Sequence, residues 1–161
     1  MQINNEENIK DLIEFLSIEG ITGEEKKIAH TVKNKLINYG VPEEYIFFDK
    51  ANKKIPLPTE TGNLIVKLPG TKTGERVLFS THLDTVSLCK GAEPILVDNK
   101  IRSKKDTALG ADNRGGVSCL VNMLKHIFSN KLDYYPMTIL FTVREESGLW
   151  GARNVSVEDL G

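Results

Sequence analysis

The sequence predicts an α/β fold, a mixed, mostly parallel sheet flanked by helices. Three observations predict it. Stripes of apolar residues at helical spacing alternate with short apolar runs of strand character. Two of those runs, Arg76 to Ser80 and Met137 to Val143, lack the polar alternation of a half-exposed strand and read as buried ones. Polar clusters begin where these runs stop, the side on which open α/β sheets gather their ligand sites.

The elements follow in order. Leu12, Ile13 and Leu16 recur at helical spacing and predict a first helix that leaves Lys10, Asp11 and Glu14 in water. Thr22 and Glu25 form a capping-box pattern opening a second helix, in which Ile28, Val32 and Leu36 share a face until Gly40 ends it. Tyr45 to Phe48 favours strand, Ile55 to Gly62 with its two prolines an irregular surface loop, and Asn63 to Leu68 strand again. Arg76 to Ser80 is expected as a central strand. Ile95 to Ile101, with Asp98 and Asn99 between apolar flanks, predicts a β-hairpin reaching over the site. Val117, Leu120, Val121, Leu124 and Phe128 mark a third helix, with Asp112 and Asn113 at its start as acceptors for its exposed amides. Met137 to Val143 is the last strand.

With 161 residues and 40% apolar content the chain can form one ordinary core. A formal charge of −1 and no basic stripe give nucleic acid or an anionic membrane no handle. Met1 to Lys10 is too polar for a secretory segment, and no apolar stretch approaches spanning length, so a cytoplasmic location is expected. Cys89 and Cys119 are too few for a disulfide framework and are expected as reduced thiols, Cys119 filling space in the third helix.

The chemistry lies in His82 with Asp84, in Asp112, and in Glu145 with Glu146. Imidazole and carboxylate are the ligands of hydrolytic zinc and related ions, and one carboxylate between two ions lets both act on one water. Alternate residues of an extended chain share a face, so one His82 nitrogen can bind metal while Asp84 orients the ring. Glu145 and Glu146 are neighbours, so their side chains diverge: one can coordinate, the other take a proton from water. Asp112 also suits a plain N-cap, but Gly110, Gly115 and Gly116 around it suggest closer backbone approach than a cap needs. His30 and His126 have no carboxylate companions and are set aside.

Thr81-His82-Leu83-Asp84-Thr85-Val86, Leu109-Gly110-Ala111-Asp112-Asn113-Arg114-Gly115-Gly116 and Phe141-Thr142-Val143-Arg144-Glu145-Glu146-Ser147-Gly148-Leu149-Trp150-Gly151-Ala152 resemble, in order, the three N-terminal signatures of the M20 metallopeptidases, most closely the peptidase T-like branch. The resemblance implies a zinc-exopeptidase-like (phosphorylase/hydrolase-like) catalytic domain and two zinc ions, with manganese or cobalt as alternatives. It implies that His82 binds one ion, Asp112 bridges both and Glu146 binds the other. Asp84 would brace His82, Glu145 would be general base and acid, and the Asp112–Asn113 peptide would be cis. The implied substrate is a short peptide; an N-acyl amino acid cleaved by the same core is the alternative, and a shortened non-catalytic domain a third reading.

Members of that family are much longer. The resemblance therefore implies that residues 1–161 are the N-terminal part of the catalytic domain, without the lid or dimerisation domain and the C-terminal catalytic part. Two ligands would then be missing, so weak or absent metal, little activity in isolation, and self-association or pairing with a complementing C-terminal segment are expected.

Overall fold

The computed structural model describes residues 5–161. Its helices are α1 (Asn5–Ser17), α2 (Lys26–Asn38), α3 (Ala111–Ser129), α4 (Trp150–Asn154) and α5 (Val157–Leu160). Its strands are β1 (Ile46–Phe48), β2 (Leu64–Leu68), β3 (Val77–His82), β4 (Pro94–Val97), β5 (Lys100–Ser103) and β6 (Met137–Thr142).

The main sheet is mixed, in the order β1-β2-β6-β3. β3 and β6 run parallel, His82 level with Thr142, whereas β1–β2 and β2–β6 are antiparallel. A parallel pair needs a long crossover, and the segment holding α3 supplies it. Both parallel strands therefore release the chain at one end of the sheet.

β2 and β6 are buried on both faces. Leu64, Val66, Leu68, Ile139 and Phe141 pack into one core with Phe15, Ile28, Val32, Leu36, Val117, Val121 and Leu124. On the other face Ile65 and Leu140 are covered from the chain's last turns, where Thr138 Oγ1 donates to the Leu160 carbonyl and Lys67 Nζ to that of Glu158. Each such aliphatic side chain contributes roughly 1.5–3 kcal/mol by leaving water. The expected stripe of α2 is buried throughout, and Gly40, at φ 93°, ends that helix in the left-handed conformation that glycine adopts without a Cβ penalty.

Several expectations are corrected. β3 is an edge strand, with Val77 and Leu78 46% and 49% exposed. Its unbroken apolar run predicts a central place, but it pairs with β6 alone, at the end of the strand order, with α3 packed against it. α1 buries Asp11, Phe15 and Leu16, leaving Leu12 and Ile13 half-exposed, so its buried stripe is rotated and includes a carboxylate expected in water. Thr22 and Glu25 form no capping box: the Thr22 hydroxyl donates to Ser147 Oγ, and Glu25 turns inward. The hairpin forms with Asp98 and Asn99 both at positive φ, as a tight two-residue turn requires, and β4 adjoins α1. Cys119 is exposed, not space-filling, and both cysteines are free thiols. No helix among the described residues is long and apolar enough to cross a membrane.

Candidate metal centre

His82 is the last residue of β3, and Glu145 and Glu146 lie just beyond β6, its parallel neighbour. Asp112 arrives from the start of α3. Donor atoms of His82, Asp112 and Glu146 all lie within 4.8 Å of one another. His82 Nε2 stands 3.0 Å from Asp112 Oδ1 and 3.8 Å from Glu145 Oε2. One imidazole nitrogen and two carboxylates at this spacing can hold a divalent ion.

Local backbone sets each donor. Asp112 makes no cap: its φ of −86° and ψ of 107° are not helical, and its peptide bond to Asn113 is cis. The amide of Gly116 instead donates to Asn113 Oδ1 at 3.0 Å, so Asn113 does the capping and Asp112, its side chain 85% exposed, is left to the site. Gly116 is needed here because a Cβ would press on Thr81 Oγ1 at 2.6 Å and on Asn113.

The ring of His82 is fixed from behind. Its Nδ1 faces the Asp84 carbonyl at 3.1 Å, and the Asp84 carboxylate at 3.5 Å acts on it as a charge more than as an acceptor. The two oxygens of that carboxylate accept instead from the backbone N–H groups of Glu145 and Glu146, at 2.9 and 3.1 Å. Fully buried Asp84 thus ties the histidine to the glutamate pair across the parallel strands. Glu145 and Glu146 do not lie on the extended strand from which their divergence is expected. Successive amides of an extended strand point apart, whereas these converge on one carboxylate because β6 has ended and the chain turns.

Charge follows from this geometry. Burial works against the His82 imidazolium, but the Asp84 carboxylate, then Asp112 and Glu145, outweigh it and push the ring up to about 9. Burial would raise Asp84, but His82 and the two amides overcome it and hold the acid below its ordinary range. Glu146 is pushed up, first by desolvation and then by Asp112, Asp84 and Glu145, with His82 opposing.

The sequence profile of peptidase family M28 matches residues 63–159, which run from β2 through the three clusters and α4 into α5. The chain belongs to peptidase family M28. This M28 chain is 31% identical to carboxypeptidase G2 of a Pseudomonas species, over 94% of its own length and 35% of that protein's. It superposes on a tripeptidase from Staphylococcus aureus with a TM-score of 0.90 at 28% identity, covering 100% of this chain and 42% of that one. The aminopeptidase PepT of Bacillus cereus gives 0.88 at 30% identity over 98% and 41%. The chain thus spans about two fifths of the length of these relatives.

All five residues singled out in the M28 sequence meet at one end of the sheet. His30 and His126, set aside, lie on α2 and α3 outside the cluster. Sequence reasoning missed the supports. Glu25 is wholly buried, and desolvation outweighs its hydrogen bonds and raises its pKa. Arg114 is buried too, its pKa lowered by desolvation to about 10 against the pull of Asp84, Cys89 and Glu25. Asn63 donates to Asp49 and the Gly151 carbonyl and accepts from the Val143 amide. A charged residue inside a motif, as Arg114 is, was the one available signal.

Proposed function

We propose that this M28 chain carries the first ligands and the general base of a dinuclear zinc exopeptidase that acts on short peptides, its site organised as in the M20 peptidase T-like branch. The observation that carries this reading is the convergence of His82, Asp112 and Glu146 donors within 4.8 Å, beside Glu145, at the end of a parallel strand pair. The likeness to a tripeptidase and to PepT over nearly the whole chain supports the substrate class.

His82 would hold one ion through Nε2, Asp112 would lie between two, and Glu146 would hold the second; manganese or cobalt would suit the same donors. A bound divalent ion polarises a carbonyl and brings the pKa of water down to about 7. The chain's own residues do the rest. Asp84 keeps the His82 ring oriented and at the same time sets the Glu145–Glu146 turn. Glu145, with Oε2 3.8 Å from His82 Nε2, takes the proton of the attacking water and delivers it to the leaving amine.

Zinc calorimetry on a full-length form, which would carry the remaining ligands, tests the division of labour. Glu145→Ala should keep the wild-type affinity within about threefold, whereas Glu146→Ala should lose more than the roughly 10–100-fold that removing a mere support costs. Equal loss in both variants, or none in either, rejects the assignment.

A further inference from the structure

The turn after β6 is held in an unusual way. Four consecutive backbone amides, Val143 to Glu146, donate to side-chain oxygens: Asn63 Oδ1 at 3.1 Å, Glu25 Oε1 at 3.0 Å, Asp84 Oδ1 at 2.9 Å and Asp84 Oδ2 at 3.1 Å. No strand ladder aims the two glutamates; three side chains from distant parts of the sequence do. Glu25 comes from the loop before α2, and its Oε1 also accepts from the Gly23 amide at 2.7 Å. Its Oε2 is buried with no hydrogen-bond partner.

A buried carboxylate with a free oxygen is a costly way to satisfy two amides, and Asn63 holds the Val143 amide of the same turn with a neutral group. The loop around Glu25 reaches the same turn a second time, through Thr22 Oγ1 on Ser147 Oγ at 3.1 Å. From the other side Arg144, at φ 52°, anchors its guanidinium to Thr59 Oγ1 and the Pro58 carbonyl. Holding the Arg144 amide in place fixes where the chain leaves β6, and therefore where the next two side chains point.

We propose that Glu25 is a positioning residue for the Glu145–Glu146 turn, aiming Glu146 at His82 and Asp112 through the Arg144 N–H. The inference rests on the metal-site reading above. It predicts that the oxygen acceptor matters and the negative charge does not.

The test uses this chain with Glu25→Gln, Glu25→Leu and Glu25→Asp, read by amide hydrogen exchange and by Co2+ titration. Glu25→Gln keeps an acceptor oxygen and should match wild type in both. Glu25→Leu should speed exchange at Glu145 and Glu146 by about 100-fold relative to Ile139 to Phe141 of β6, and weaken Co2+ binding by about tenfold. Should the leucine variant fail to fold, Glu25→Asp, one methylene too short to reach both amides, should show the same local loosening. Exchange that rises equally in β6 and in the turn, or a folded Glu25→Leu or Glu25→Asp variant that binds Co2+ as wild type does, would overturn the proposal. Glu146→Ala separates the two ideas: if it binds Co2+ as tightly as wild type, the metal-site reading fails, and exchange alone then decides whether Glu25 positions the turn.

Discussion

Two acidic clusters in this molecule differ in how many cations they carry. Between α1, α2 and α3 the Asp11 carboxylate, 3% exposed, accepts from Lys35 Nζ at 2.7 Å and from the Tyr39 hydroxyl at 2.8 Å, with Lys125 Nζ at 3.5 Å. The lysines also reach Glu14 and Glu7, and Lys125 lies over the Tyr39 ring. Desolvation opposes both lysine charges, and the carboxylates overcome it and raise their pKa values. At the strand ends, among the described residues, Asp112 and Glu145 have His82 as their ion-pair partner, and Glu146 lies in the same cluster. A cluster that only ties helices together brings its own cations; one left with surplus carboxylates is suited to take cations from solution.

The largest effect that can break this contrast is the pH dependence of cation binding. Coordination through His82 Nε2 must displace the proton whose pKa lies at about 9. Co2+ affinity should therefore rise by about tenfold per pH unit from neutrality and level off above that value. Stability of the cation-free chain should move oppositely. A folded-state pKa above the ordinary 6.5 means that the His82 proton stabilises the fold below that pH, a contribution lost as pH climbs through about 9. Calorimetric titrations at several pH values check the first part and urea melts the second. A flat affinity profile would mean that Nε2 is not a ligand.

Next in size is the loss of the lysine-bound cluster. Asp11→Ala takes the buried partner from Lys35 and Lys125, whose side chains are only 15% and 13% exposed, and leaves them the more exposed Glu14 and Glu7. Breaking a fully buried pair costs about 3–5 kcal/mol; with some water already reaching both lysines, about 2–3 kcal/mol is expected, with Co2+ affinity unchanged. Urea denaturation measures the first and titration the second. A variant as stable as wild type would show that the cluster is incidental.

The two clusters were unequally legible in the sequence. His82, Asp84, Glu145 and Glu146 stood out because polar residues directly after apolar runs have a predictable place, and Asp112 because glycines crowd it. Asp11 was hidden because it sits in a helix among other charges, and its burial depends on Lys35 and Lys125 arriving from two other helices. The Thr22–Glu25 pattern misled for a related reason: local spacing permits a capping box, but the Arg144 and Gly23 amides compete for the same oxygen. Likewise the apolar run of β3 reports capacity for burial, while its edge position is set by sheet order.

The smallest effect is the most direct measure of surplus charge. Glu146→Gln removes one negative charge without changing shape, and the raised pKa of Glu146 means that its charge is disfavoured where it stands. The cation-free variant should therefore be slightly more stable than wild type at neutral pH, by under about 0.5 kcal/mol because Glu146 is exposed to solvent. The share of the gain that comes from Asp112, Asp84 and Glu145 should shrink in about 1 M salt, where the screening length falls to about 3 Å. Asp11→Asn is the matching control: the same swap in the lysine-bound cluster removes a charged partner from two lysines and must destabilise. Losses of similar size in both variants would mean that the strand-end carboxylates are as well matched as those between the helices, and the reason to expect a cation there would be gone.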